Sequence, residues 1–561
     1  MRFLLISAFL ASSIAAQEQK CRLEGQVLSL AGAPLKKAAV RLQFNGPQNP
    51  SITPVNYTAA SDGEGKFLFE DVTPGTYVLS AQRTGYINQT YGAKSPGAGT
   101  GPLKLDSGQV MKGLVFKLVP QGMIFGRVVD DDGDPLPNFS VQTSRWLFVN
   151  GKKQLQMMGN TSSQADGTFV IGNLRTGRYY LSADSRNNNF TYGVDRPGSK
   201  RPEESYLKTY FPNVLDAASA ALVDVAEGAE VRGIEIHVRR GRVYEIRGRI
   251  ESGPSGAKYA SLTLVPRGGS GTAFLDRRQA QVQGKDGEFQ FKNVTPGAYV
   301  IQSQFAQAET RDPTGEFTKS TPLVARLEIT VADQNIENLI VPLTPGPDIK
   351  GVFKTEGPDP APQTAAAKAN PSVQFRGVDD PMSPGVAYAQ ANDDGTFRMQ
   401  GVTPSVVRVS VYGLPENTYV KSIVFGGQDV KGKDLDLTSG SGGTLEIAIS
   451  PNGAEVTGTV RDADGKAVPS AIVQVCDKSG EIAKSANTDQ NGAFDLKGLA
   501  PGEYKTFAWE DRGDGVITDP DFRKSFESKA TIVKLSEKSR ENIEPLLITK
   551  DAMDVETAKI R

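Results

Sequence analysis

One phrase is written five times along this chain, and that repetition constrains the fold more than any bulk property. It runs Asp62-Gly63-Glu64-Gly65-Lys66-Phe67-Leu68-Phe69 to Pro74-Gly75-Thr76-Tyr77, and Asp166-Gly167-Thr168-Phe169-Val170-Ile171 to Tyr179. The third and fourth copies are Asp286-Gly287-Glu288-Phe289-Gln290-Phe291 to Pro296-Gly297-Ala298-Tyr299, and Asp394-Gly395-Thr396-Phe397 to Pro404. The fifth is Asn491-Gly492-Ala493-Phe494-Asp495-Leu496 to Pro501-Gly502-Glu503-Tyr504. A glycine between β-formers precedes each copy (Gly25, Gly126, Gly248, Gly351, Gly458), at spacings of 101, 122, 103 and 107 residues. A fixed order recurring at such a spacing is a tandem array of roughly 110-residue units.

Each part of the phrase has a shape. Asp-Gly and Asn-Gly supply the positive φ of a tight turn. Phe67/Phe69, Phe169/Ile171, Phe289/Phe291 and Phe494/Leu496 alternate with other residues, the period of a strand with one buried face. Pro-Gly reverses the chain, and the tyrosine lies on the returning strand. Asp132-Gly133 and Asp464-Gly465 turn the first strand into the next, and Ile234/Ile236/Val238 alternate with Glu235/His237/Arg239. No long stretch sustains a helical period; Asp216 to Ala221 reaches one or two turns at most. Short strands punctuated by turns predict an all-β chain of about five antiparallel β-sandwich domains.

The G-x-V, D-G-x-F-x-F, V-x-P-G-x-Y order resembles the carboxypeptidase regulatory-like domain. That resemblance implies a prealbumin-like, seven-stranded, Greek-key sandwich related to collagen-adhesin B-type repeats, as found in multi-repeat bacterial envelope proteins. It is strongest from Val456 to Trp509, and the fourth unit departs most: Ser405-Val406-Val407 replaces Gly-x-Tyr, and a Pro/Ala-rich insertion runs about Gly357 to Pro371. The family implies an extracytoplasmic accessory or binding module, often classed with the starch-binding-like, carbohydrate-binding fold, and no catalyst. The predicted boundaries are a signal peptide at 1–16, repeats at 17–119, 120–239, 240–344, 345–450 (divergent) and 451–548, and a polar tail at 549–561.

Arg2, the apolar run from Phe3 to Ala11 and the small residues to Ala16 form that secretory signal. At 14 residues, Phe3 to Ala16 is too short to span a bilayer. Export to the periplasm, outer surface or medium is expected, without a transmembrane anchor, and Gln19-Lys20 argue against a lipid on Cys21. No run of ten-residue alternating strands follows the repeats, so an outer-membrane barrel is not expected. A net charge of −1 offers no field for nucleic acid. Cys21 and Cys476, the only two cysteines, cannot supply a disulfide framework for five cores.

Chemistry is restricted by a single histidine. A zinc peptidase site needs two histidines and a glutamate, and Ser-His-Asp or Cys-His systems would all require His237. His237 instead reads as a solvated strand residue, and no catalytic residue, metal ligand or cofactor is assigned. Asp130-Asp131-Asp132-Gly133-Asp134 lacks the spacing of an EF-hand loop and reads as a turn. The glycine-rich Gly268-Gly269-Ser270-Gly271 and Gly440-Ser441-Gly442-Gly443 precede no helix and are not phosphate loops. Tyr77, Tyr179, Tyr299 and Tyr504 are expected to be structural, with buried rings and bonded hydroxyls. Aromatics outside the repeat, Trp509, Trp146, Tyr210, Phe211 and Tyr419, are the candidate carbohydrate contacts, because sugar C–H faces stack on exposed rings. Trp509 serves equally well as packing between domains. The expected function is a non-catalytic scaffold or interaction protein of the cell envelope, its sandwiches placed end to end. Its partner would be another envelope protein, or a polysaccharide in the alternative reading.

Overall fold

The computed structural model describes residues 19–46, 55–93, 100–185, 190–191, 204–251, 257–267, 276–282, 287–311, 317–356, 371–378, 387–440 and 442–560. The signal segment, nearly all of the Pro/Ala-rich insertion and the Gly268–Gly271 run lie outside the described residues.

Each unit has the same plan. Its first strand lies between the strand of the D-G-x-F phrase, which runs antiparallel to it, and the unit's last or near-last strand, which runs parallel. In the first unit these are Cys21–Ser29, Lys66–Val72 and Val110–Leu118. The central strands of the other units are Gly122–Val129, Tyr244–Glu251, Ile349–Thr355 and Ala454–Thr459. A second sheet closes each sandwich, in the first unit around Ala39–Phe44, Tyr57–Ala60 and Gly75–Gln82. The expected antiparallel sandwich therefore carries at least one parallel pair per unit, and the fifth has a second, between Gly502–Trp509 and Leu547–Ile548. Five separate apolar cores fill the five sandwiches.

The two halves of the repeated phrase are one contact. The first-strand glycine lies directly across from the first phenylalanine in every unit: Gly25 and Phe67, Gly126 and Phe169, Gly248 and Phe289, Gly351 and Phe397, Gly458 and Phe494. A Cβ on these glycines would stand 2.6, 2.5, 2.7, 2.0 and 2.8 Å from the ring. In four of them it would also strike a carbonyl oxygen of the parallel strand, as at Gly458, 1.9 Å from that of Ile543. The ring fills the space that a side chain would take, so glycine and aromatic recur together. The turn before the phenylalanine places Gly167, Gly287, Gly395 and Gly492 at φ 76°, 69°, 80° and 71°. In the first unit that position belongs to Gly65, at φ 74°, and not to Gly63.

The divergent fourth unit is a full sandwich. Sheets of five and four strands enclose Phe353, Phe375, Phe397 and Met399. Val407, where other units carry tyrosine, is fully buried.

Two expectations fail. Residues 549–561 are not a polar tail: Lys550–Ile560 is a helix. Its Met553 and Thr557, four residues apart and so on one face, are buried, while Asp551, Asp554 and Lys559 face solvent. Nor do the sandwiches stand only end to end. The fifth unit touches the fourth, and it also meets residues 100–104 of the first and the long hairpin Phe139–Val149/Lys152–Ser162 of the second.

Candidate functional site

The five aromatic candidates do not form one surface. Trp509 has no exposed area. Its Nε1 donates to Gln474 Oε1 at 2.9 Å, and its ring stacks on Phe507 at 5.4 Å and meets the edge of Phe526 at 5.4 Å. The expected sugar-stacking role is thus overturned, because the segment after Trp509 folds back over it. Gly513–Thr518, helix Pro520–Lys524 and the C-terminal helix cover the outer face of its sheet.

Tyr210 and Tyr419 are also buried, at 4% and 7% exposure. Tyr210 packs with Leu155 and Ala217, under Lys208 Nζ 5.4 Å from its ring centroid, and burial holds its phenol above the usual range. Lys208 in turn pairs with Asp276 of the third unit at 2.6 Å. Tyr419 closes the joint between fourth and fifth units, its hydroxyl donating to Glu537 Oε1 at 3.1 Å. Both are corrected from ligand contacts to packing residues. Trp146 and Phe211 remain half-buried. Trp146 packs against the Tyr210 cluster with Lys153 Nζ 5.8 Å from its ring, whereas Phe211 turns to the second sandwich core.

The repeated tyrosines are buried and hydrogen-bonded. Each is at most 6% exposed. Each donates its hydroxyl to the carbonyl four residues earlier: Thr73 (2.8 Å), Arg175 (2.7 Å), Thr295 (2.8 Å) and Ala500 (2.7 Å). His237 lies beside Glu235, Nε2 to Oε1 2.8 Å, with both side chains more than 40% exposed. Asp130 accepts from the backbone N–H of Asp132 and Asp134 and from Arg240 at 3.1 Å, which makes the acidic cluster a turn. Asp462 bonds the N–H groups of Asp464 and Lys466 in the same way. Both cysteines are free and buried, and desolvation pushes the Cys476 thiol up to about 11.

What the structure brings together is a set of joints around the fifth unit. Phe148, from the second unit's hairpin, packs on the cluster of Trp509, Phe522, Phe526 and Met553. Beside it Arg145 Nη2 meets Asp514 Oδ2 at 2.8 Å, and Gly515 leaves room for the carbonyl of Phe148, 2.2 Å from where a Cβ would sit. The joint to the first unit is polar. Gly101 N–H donates to Ser470 Oγ at 3.0 Å, Asn487 Nδ2 donates to the Thr100 carbonyl at 2.9 Å, and Lys104 Nζ lies 3.3 Å from Asp489. Sequence reading missed Phe148, Asp514, Asn487 and Gln490, since none belongs to the repeat. Only their departure from its pattern marked them.

The family model of the carboxypeptidase regulatory-like domain matches residues 22–110 and 455–515. No curated protein matches this chain in sequence. Among solved structures, a streptococcal ancillary pilin is 12% identical over 58% of this chain and 99% of its own, with a TM-score of 0.18. The minor pilin of Streptococcus agalactiae is 12% identical over 39% and 96%, with a TM-score of 0.21. The major pilin subunit of Bacillus cereus is 12% identical over 58% and 99%, with a TM-score of 0.16. The repeated phrase, the Gly–Phe contact and the family match all fall on the same residues of the first and fifth sandwiches, which are similar to the carboxypeptidase regulatory-like domain.

Proposed function

We propose that this chain is a non-catalytic, exported, multi-domain scaffold or interaction protein of the cell envelope. One observation carries the reading: the residues that break the repeat join sandwiches to one another. Phe148, Arg145, Tyr419, Gln490 and Asp514 all lie in such joints. A chain whose singular side chains assemble its own modules is built to hold a shape and present surfaces. The lone histidine, exposed and paired with Glu235, supports the absence of charge-relay chemistry. The amino-terminal segment, cationic then apolar then small, supports export. The partner expected is another envelope protein.

Cell fractionation combined with cross-linking in intact cells tests this. The protein is expected outside the cytoplasm, shortened by its first 16 residues, and cross-linked to a defined envelope protein. Turnover in a hydrolase panel that survives His237→Ala would overturn it. Saturable polysaccharide binding lost in Trp146→Ala, with the fold intact by circular dichroism, would replace it with glycan recognition.

A further inference from the structure

The joint between first and fifth units has an unusual make-up: side chains of one read the main chain of the other. Strand Leu103–Leu105 is the short outer strand of its sheet, paired on one side only with Gly75–Gln82. An outer strand leaves N–H and C=O groups unpaired on its free side. Here the Gln490 carboxamide takes both groups of Lys104, accepting from its N–H at 3.2 Å and donating to its carbonyl at 3.0 Å. Three and four residues earlier, Ser470 Oγ accepts from Gly101 N–H and Asn487 Nδ2 donates to the Thr100 carbonyl. Four main-chain groups of one extended segment are thus met by three side chains of the fifth unit.

The segment's own side chains are selected in turn. A Cβ on Gly101 would stand 1.6 Å from the Thr488 carbonyl oxygen. That wall is rigid, because Ser470 N–H donates to the same carbonyl. Pro102 brings no N–H that would need a partner. Lys104 faces Asp489, whose side chain is 5% exposed and is oriented by the N–H groups of Asn491 and Ala493. Leu79, Tyr91 and Pro469 line the cleft beside the segment.

We propose that the fifth unit carries a recognition site for an extended peptide of the form Gly-Pro-x-Lys, built from Ser470, Asn487, Asp489 and Gln490. Residues 100–104 of the same chain occupy it, so the array is latched to itself and the site is closed to other peptides. The latch also covers the free edge of the first unit, which would otherwise be open to strand addition.

The test uses the full-length chain and its Gly101→Val variant, with amide hydrogen exchange and a synthetic Thr-Gly-Pro-Leu-Lys-Leu peptide at millimolar concentration. The native chain should protect the Gly101 and Lys104 amides and ignore the peptide. Gly101→Val should exchange these amides at least tenfold faster, keep the protection of Cys21–Ser29, and bind the peptide. Binding should fall at least tenfold when the peptide carries Val for Gly, or when Asp489→Asn is added to the variant. If Gly101→Val unfolds the first unit, Lys104→Glu, which sets a like charge against Asp489 from a half-exposed position and leaves the four site residues intact, takes its place with the same readouts. Unchanged exchange, an opened segment that leaves the peptide unbound, or equal binding by the native chain would each overturn the proposal.

Discussion

Strand Gly502–Trp509 faces two apolar clusters of different origin. Its inward side chains, Tyr504 and Ala508, join Val456, Val473, Phe494 and Leu496 inside the sandwich. Its outward side chains, Phe507 and Trp509, join Ile472, Phe522, Phe526 and Met553, and Phe148 packs on them from the second unit. The inner positions have counterparts in the other units; the outer ones do not. One cluster makes a module and the other makes a joint, back to back on a single strand. Repetition therefore specifies the beads, and the residues that depart from it specify how the beads are held.

The largest effect expected is from removing the outer cluster's centre. Trp509→Ala empties a fully buried site and strips Gln474 of its partner, a loss of about 3–5 kcal/mol by the behaviour of buried aromatics. Amide exchange should show strand Ile472–Cys476 and the C-terminal helix losing protection, together with the contact to Phe148. The inner strand Ala454–Thr459 should stay protected. Equal collapse of both would show that module and joint are one cooperative body.

The inner cluster is broken differently. Gly458→Ala drives a Cβ to 1.9 Å from the Ile543 carbonyl oxygen and 2.8 Å from the Phe494 ring. Overpacking of this kind costs about 1–3 kcal/mol. Gly351→Ala in the fourth unit meets only the Phe397 ring among its nearest atoms, and a side chain yields where backbone does not. Calorimetry should show the smaller shift for Gly351→Ala. The reverse order would mean that the parallel strand is not the stiff wall inferred here.

Much of this is legible in the sequence, for a physical reason. Gly25 and Phe67, or Gly458 and Phe494, encode a local contact that every unit must make, so repetition displays it. The burial of Tyr77 and Tyr504 and the turn at Asp130 follow from equally local rules. For Trp509 the strand alternation says only which side it faces, which left packing and sugar contact both open. What covers that side comes from Phe522, Phe526 and Met553, up to 44 residues on, and from Phe148, 361 residues back. The helix of Lys550–Ile560 was missed for a related reason: two buried residues, Met553 and Thr557, are too few to print an amphipathic pattern. The first-to-fifth joint was hidden because polar side chains on main-chain groups leave no hydrophobic signal.

A third effect separates the sandwich interiors from their surroundings by pH. Burial raises the phenol of Tyr77 from 10.0 to about 12, and holds those of Tyr179 and Tyr504 above the usual range. In the unfolded chain these groups ionise near the ordinary value, while in the folded chain they stay neutral. The stability they contribute is therefore complete below pH 10 and is lost as pH rises toward 12. Absorbance titration should show these tyrosines ionising late, together with unfolding. Ionisation near pH 10 with the fold intact would mean that the rings are open to water.

The smallest effect isolates a single hydroxyl. Tyr504→Phe keeps the ring in the inner cluster and deletes only the bond to the Ala500 carbonyl, 2.7 Å long. The loss expected is about 1 kcal/mol, the usual net worth of one such bond. The fourth unit shows why it is no larger: Val407 fills the equivalent position, fully buried, with no hydroxyl, and the sandwich still closes. If Tyr504→Phe instead cost as much as Trp509→Ala, the tyrosine would be fixing the Pro-Gly reversal itself. In that case the fourth unit's Thr403-Pro404-Ser405 must be held by other means, and Ser405, whose Oγ donates to the Thr403 carbonyl at 3.0 Å, is the residue that does so. Ser405→Ala would then destabilise the fourth unit as Tyr504→Phe does the fifth, whereas an ordinary hydrogen bond at Tyr504 leaves Ser405→Ala nearly silent.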